Sequence, residues 1–452
     1  MSFMSSHYPV ILFFGLCLWL NSVAGYAQQS NNTGVIPGLH FVSSEMIPTL
    51  APVSTEETDS PVQVLFSDEQ WGCQSIDWDF PMTSCRASCM DSSFRLFRGG
   101  SRLKFQGWVE SGLYANSHGA KSQYAPGGGG LLGESGNGPN FGPGLRTTDY
   151  NMNQLWGQFS REMDCSHGLD WGFRADLIYG MNGYEVQSED SFDHGWGQGD
   201  YGLGFHQLYG EVGYGKLSAK YGKFGTPIGW EEVPSWDNFF NSRSYCYNIE
   251  PVTHTGVLLH YRLTDGIKLA GGWAAGMENG FVNRHGDHEG IAGLELEWTQ
   301  NSTLYYYMTQ GRLNDSFGGG FPTDYFIQSL CFEWKPTDHW TYLCQYNLNN
   351  TNEVGGDNLS AYGINNHLIY RWNDRWELGF RAEWFRDNGV LGYGSGEHSD
   401  YVELTLGLNY HPTEHLRLRP EIRYDRADKS AMFAGGTRSE QLSGGFALLY
   451  GF

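Results

Sequence analysis

The sequence predicts an all-β fold: a transmembrane antiparallel up-and-down β-barrel of about sixteen strands, with short periplasmic turns and long extracellular loops. Three observations carry this. A period-2 alternation of apolar and polar residues recurs from Arg102 to the C-terminus. The joins between these stretches alternate between short and long. The last stretch, SGGFALLYGF, ends on an aromatic residue, Phe452.

Composition sets the bounds. The 452 residues include Gly 62, Tyr 27, Phe 27 and Trp 16, with a net charge of −22, and mean hydropathy is −0.44. The chain is too polar for a helical membrane protein and too aromatic for a disordered one. A barrel whose strands face lipid on one side and water on the other reconciles the two. The acidic balance argues against a nucleic-acid partner.

The N-terminus reads as an export signal spanning residues 1–27. Val10 to Leu20 is an apolar core too short to span a membrane as a helix. Gly25-Tyr26-Ala27 supplies small residues at a cleavage site that would leave Gln28 first, although the leading segment carries His7 and no Lys or Arg. Residues 28–100 lack sustained alternation and read as a linker followed by a cysteine-bearing extension, with Cys73, Cys85 and Cys89. The barrel is assigned to residues 101–452, in the outer membrane.

Individual strands set one face against the other. Leu103, Phe105, Val109 and Leu113 oppose Lys104, Gln106, Glu110 and Tyr114. Leu169, Trp171, Phe173, Ala175, Leu177 and Tyr179 oppose Asp170, Arg174 and Asp176. Near the end, Leu416, Leu418, Ile422 and Tyr424 oppose Arg417, Arg419, Glu421, Arg423 and Asp425. Alternation alone also suits a soluble sandwich; the joins decide. Asn301, Asn373-Asp374 and Pro412-Thr413 lie in short turns, whereas Asn116 to Tyr150, Met181 to Leu203 and Gly225 to His254 are long. A sandwich has no reason to alternate its connections in this way.

The stretch from Lys223 to His254 is the centre of the functional reading. It joins the fifth and sixth expected strands, is acidic and aromatic, and is broken by Pro227, Pro234 and Pro251. Long connections of this kind are commonly functional, and the third long loop of a porin folds into the pore. Glu231, Glu232, Asp237 and Glu250 are the candidate acids of a constriction, with Phe239 and Phe240, alongside Trp230 and Trp236, as its packing. Arg174, Arg381, Arg417, Arg419 and Arg423 are the candidate basic wall opposite, so that acids and arginines would set a transverse field across the pore. Pairing of those arginines with neighbours such as Glu421 and Asp425 is the blander reading.

Cys331 and Cys344 lie equidistant from the Pro336-Thr337-Asp338 turn, and in the simplest hairpin register they would be opposite one another within disulfide reach. A slip of one residue would put them on opposite faces. His285, Asp287, His288 and Glu289 crowd one outer loop, but a solvated loop tip is the better reading than a metal site, so no metal and no cofactor is expected.

The chain resembles the OmpL-like β-barrel porins of bacteria with an outer membrane. The resemblance rests on KFQGWVESG (Lys104 to Gly112), LDWGFRADLIYG (Leu169 to Gly180), YGEVGYGKLSAKYGKFGTPIGWE (Tyr209 to Glu231), NFFNSRSYCYN (Asn238 to Asn248), PVTHTGVLLHY (Pro251 to Tyr261) and AGGWAAGMENGF (Ala270 to Phe281). It implies a porin-like barrel of undefined substrate and says nothing of residues 28–100. The expectation is passive diffusion of small hydrophilic solutes or ions, with outer-membrane lipid as surroundings and a homotrimer by analogy. The alternatives are a plugged structural or adhesive barrel and a barrel hydrolase. No GxSxG motif occurs, and His254 with Ser242 or Ser244 is the only candidate grouping for a hydrolase inside the block that carries the resemblance, so no enzyme activity is expected.

Overall fold

A computed structural model describes residues 102–118, 150–165, 168–199, 201–314, 322–353, 358–391, 398–429, 433 and 437–452. These belong to the second of two units, residues 72–452. The signal-peptide reading of residues 1–27, the extension 28–100 and most of the first long loop lie outside the described residues.

The strands follow in chain order. They are β1 (Leu103–Asn116), β2 (Tyr150–Arg161), β3 (Asp170–Gly180), β4 (Gly197–Gln198), β5 (Tyr201–Tyr214), β6 (Leu217–Gly225), β7 (Thr253–Thr264), β8 (Ile267–Met277) and β9 (His288–Thr299). The second half comprises β10 (Ser302–Leu313), β11 (Thr323–Thr337), β12 (Trp340–Glu353), β13 (Asn358–Asn373), β14 (Trp376–Asn388), β15 (Ser399–Thr413), β16 (Leu416–Ala427) and β17 (Glu440–Gly451). β4 is a two-residue ladder in the loop before β5. The other sixteen form one closed antiparallel barrel, in which each pairs with its sequence neighbours and β1 pairs with β17. Closure removes the unpaired edges that an open sheet would leave. The seam runs to the last residue: Gly107 and Phe452 exchange backbone hydrogen bonds of 2.9 and 2.8 Å.

The alternation read from sequence sorts the two faces. Val402, Leu404 and Leu406 of β15 are exposed on the outer wall, while Glu403 and Thr405 between them are buried on the inner face. Outward Leu442, Phe446, Leu448, Tyr450 and Phe452 repeat this on β17. Outside a membrane such a surface would be a large apolar patch; facing lipid it is the ordinary solvent contact of a barrel. Exposed Trp171, Trp298, Trp340, Trp372 and Trp376 all sit near the short-turn rim, where indole rings suit a boundary between lipid and water.

One expected pairing is corrected. The ladder between β11 and β12 sets Phe332 opposite Cys344 and Cys331 opposite Gln345. An irregularity between Trp334 and Thr337, next to the turn, shifts the register by one residue. The two cysteines therefore occupy opposite faces and form no disulfide with one another.

Candidate functional site

Residues 226–252 leave β6, fold into the barrel and return to β7, and nearly all are buried. The neck is closed by the Thr226 N–H donating to the Val252 carbonyl at 3.1 Å. Below it, Thr226 Oγ1 meets His254 Nε2 at 3.0 Å, and His254 Nδ1 meets Glu289 Oε1 at 2.6 Å. The other Glu289 oxygen accepts from Thr309 and Tyr325.

A segment with only short 3-10 turns, at Ser235–Asp237 and Cys246–Ile249, cannot satisfy its own backbone, yet buried N–H and C=O groups need partners. The wall supplies them. Glu421 accepts the Asn241 and Ser242 N–H groups at 2.7 and 3.2 Å. Glu383 accepts the Tyr245 and Cys246 N–H groups, each at 2.7 Å. Arg417 donates to the Trp236 carbonyl at 2.9 Å, and Arg419 to the Ser235 and Asn238 carbonyls at 3.0 and 3.1 Å. Arg423 donates to the Arg243 carbonyl and pairs with Asp425 at 2.7 Å. On the strands to either side of these, Gln154 of β2 donates to Val233 O and accepts from Ser235 N, while Asn347 and Asn349 of β12 donate to the Cys246 and Ile249 carbonyls. The charged inner face of β14 to β16 is thus a mould for an irregular backbone, built from charge-assisted hydrogen bonds.

Side chains complete the fit. Trp236 packs against Trp108 at 6.5 Å between centroids and lies 4.9 Å below the Arg417 guanidinium. Trp230 packs toward Tyr305 on the opposite arc, at 6.1 Å. Phe239 and Phe240 form a buried cluster with Ile369. Phe239 fits because β14 carries glycine beneath it: a Cβ on Gly379 would come within 2.1 Å of the Phe239 ring. Gly379→Ala should therefore cost about 1–3 kcal/mol by overpacking. Combined with Phe239→Ala the cost should be less than additive, as read by urea denaturation of the refolded barrel. Gly229, at φ +104°, lets the chain turn against the Glu250 carboxylate, where a Cβ would sit within 1.9 Å of an oxygen.

The acids and arginines read from sequence therefore meet differently from the expectation. Glu231 bonds directly to Arg381 at 2.6 Å and takes the Ser244 N–H on its other oxygen. Glu250 accepts from Gln345 and Asn347. Glu232 and Asp237 are partly exposed. Arg417, Arg419 and Arg423 hold loop carbonyls, and Arg419 also pairs with Glu110 at 2.6 Å. There is contact, not a gap, between the loop and these arginines, so the transverse field expected between them has no free space to cross. Arg174 stands apart and pairs with Asp176, two residues along β3, at 2.8 Å. Sequence reading named Glu421 only as a partner for the arginines, and missed the acceptor Glu383 and the amides Gln154, Asn347 and Asn349. Their signal was polar residues at inward positions, but which of them grip the loop depends on strands distant in sequence.

Ser242 and Ser244 donate to Glu421 and Glu231, whereas His254 is bonded to Thr226 and Glu289. No nucleophile–base pair forms among them. The His285–Glu289 stretch uses its acids internally: Asp287 accepts the Asn314 N–H at 2.6 Å, and Glu289 holds His254. Among the described residues no cluster with metal-binding character is present.

The C-terminal root of the loop carries a pH-sensitive group. Glu278 follows β8 at φ +54° and accepts the Val252 N–H at 3.3 Å. Burial, reinforced by the neighbouring Glu185 carboxylate, pushes its carboxyl up to about 7. A raised acid keeps its proton in the fold after the unfolded chain has lost it at about pH 4.3. Its stabilising contribution is thus full below that value and is lost as pH rises through about 7. Stability should fall across this window, with a slope of at most about 1.4 kcal/mol per pH unit for one proton. Glu278→Gln should flatten that slope in urea midpoints measured between pH 4.5 and 8.

A closed sixteen-stranded barrel with an inward-folded third loop defines a protein of the outer-membrane porin type. The chain belongs to the family described as "Putative beta-barrel porin-2, OmpL-like", whose profile matches residues 102–452. Among solved structures, the anion-selective porin of Comamonas acidovorans superposes with a TM-score of 0.53 at 10% identity, covering 77% of this chain and 99% of that one. The trimer form of in-vitro folded OmpT from Vibrio cholerae gives 0.51 at 11% identity, covering 77% and 99%. OmpF of Salmonella typhi, in complex with daunomycin, gives 0.50 at 11% identity, covering 77% and 97%. At these identities the likeness is one of fold. No curated protein matches the sequence.

Proposed function

We propose that the protein is an outer-membrane porin in which small hydrophilic solutes or ions diffuse passively through the barrel, constricted by residues 226–252. One observation carries this reading: the third loop lies inside the barrel, bonded to strands on opposite arcs of the wall. A loop held in this way narrows the lumen at a fixed place without moving parts. In this reading Glu232 and Asp237, the partly exposed acids of the loop, face the remaining path. Glu231, Phe239, Phe240 and Glu250 set its shape, and the arginines Arg381, Arg417, Arg419 and Arg423 hold the loop in place.

A second reading has its own observation. Burial of nearly all of residues 226–252 also suits a barrel closed to solutes and used as a structural or adhesive element. Single-channel recording of the refolded mature protein in a planar bilayer separates the two. Stable conductance steps, with a reversal potential in a salt gradient, are the expected result. Correctly folded, heat-modifiable protein without current overturns the porin reading. Two further expectations accompany it: N-terminal sequencing of the exported protein beginning at Gln28, and chemical cross-linking that stops at a trimer.

A further inference from the structure

On the inner wall at the short-turn rim, away from the bonds that grip the third loop, β8, β9, β10 and β11 enclose a cavity of about 170 Å³. Its lining includes Lys268, Glu295, Glu297, Tyr305, Glu333 and Lys335. The side-chain charges are uneven. Lys268 meets Glu295 at 3.1 Å, and the second Glu295 oxygen takes the Tyr307 hydroxyl at 2.9 Å, so that carboxylate is satisfied. Glu333 is only 4% exposed. The Lys335 ammonium lies 2.8 Å from its Oε1, so this carboxylate is paired as well. Glu297 is exposed at the mouth and forms no ion pair among the described residues. Three carboxylates thus share the cavity with two ammonium groups, which leaves one negative charge, that of Glu297, over the two pairs.

We propose that this cavity is a binding subsite for small organic ammonium ions, including the amine end of a larger polar solute. Glu297 would attract the cation from solution, and Glu333 would accept its N–H groups. The Tyr305 ring, part of the lining, would offer a π-face to the charge. A low-dielectric wall lined by an excess of one sign concentrates ions of the other. The proposal deepens the channel reading, because Tyr305 is also the residue toward which Trp230 of the third loop packs. A solute held here would stand beside the constriction.

The test is saturation-transfer NMR of ethylammonium chloride with the full refolded barrel in detergent, at fixed ionic strength. Saturable binding is expected, weakened about tenfold by Glu297→Gln combined with Glu333→Gln and strengthened by Lys268→Met, with no binding of acetate. If the double variant fails to fold, Glu297→Gln alone, at the exposed mouth, should still weaken binding several-fold. Absence of saturable binding, indifference to these substitutions, or preferential binding of acetate would overturn the proposal. Because no current is measured, a barrel that binds ethylammonium but does not conduct would retain the subsite and sink the channel reading. A conducting barrel that does not bind it would do the reverse.

Discussion

Excising residues 231–249 and joining the ends with a short Gly-Ser linker should raise single-channel conductance several-fold while the barrel still folds. The neck makes this feasible. Thr226 and Val252 are joined by a 3.1 Å backbone hydrogen bond, and Gly229 packs against Glu250, so the ends left at Trp230 and Glu250 stay close enough for a short linker. The barrel itself does not depend on the excised segment for its strand pairing, since β6 and β7 pair directly from Leu217–Tyr261 to Gly225–Thr253. What the excision removes is the material filling the lumen, and barrels of sixteen strands are wide enough to leave an aqueous channel. It also strands charges. Glu383 and Glu421 lose the N–H groups they accept, and Arg417, Arg419 and Arg423 lose carbonyls. In a widened, water-filled lumen these groups are solvated rather than buried, so the desolvation cost of an orphaned ion does not arise. Ion selectivity should shift together with conductance, because a wall that held a loop becomes a wall that lines a pore. An excised variant that folds and conducts no better than the parent would show that the loop does not limit the path.

The barrel was legible from sequence because its rule is local. A period of two puts Val402, Leu404 and Leu406 outside and Glu403 and Thr405 inside, whatever the rest of the chain does. The short turns read at Asn301 and Asn373-Asp374 fall where β9 gives way to β10 and β13 to β14, while Pro412 and Thr413, read as turn residues, belong to the end of β15. The third loop was legible as a loop, from its prolines and its lost alternation, but its partners were not. Asn241 meets Glu421, Tyr245 meets Glu383 and Val233 meets Gln154 only because the barrel closes, and no spacing in the chain encodes that proximity. The cysteine pairing failed for a smaller reason of the same kind. One irregular residue beside the turn displaced the β11–β12 register, and a one-residue shift inverts both faces. Charge was the most misleading signal. Acids on a loop and arginines on a wall suggested a field across water, whereas closed packing brings the two signs into contact and spends the remaining donors on backbone carbonyls.

Arg381→Met should be the most destabilising single substitution in the lumen. Arg381 is fully buried and bonds Glu231 at 2.6 Å and Glu403 at 3.0 Å, with a further bond to the Ser242 carbonyl at 2.8 Å. It ties a loop acid, a strand acid and the loop backbone together. Removing it takes from two buried carboxylates, Glu231 and Glu403, the ion pair each makes, and breaking a buried pair from one side costs about 3–5 kcal/mol. Methionine preserves most of the volume and the apolar contact with Phe240, whose ring lies 5.0 Å from the guanidinium. The loss should therefore report charge rather than packing. The cycle with Glu231→Gln tests this. If the ion pair is the cause, Glu231→Gln should recover a large part of the loss in the Arg381→Met background, because one of the stranded charges is gone. Non-additivity well beyond the ~0.5 kcal/mol expected of independent sites would establish the coupling. Equal penalties from Glu231→Gln in both backgrounds would instead mean that Glu231 is held mainly by Ser244. The same two variants separate stability from gating. A barrel with only the loop loosened should keep its heat-modifiable mobility and show noisier current, whereas one whose wall has failed should lose both.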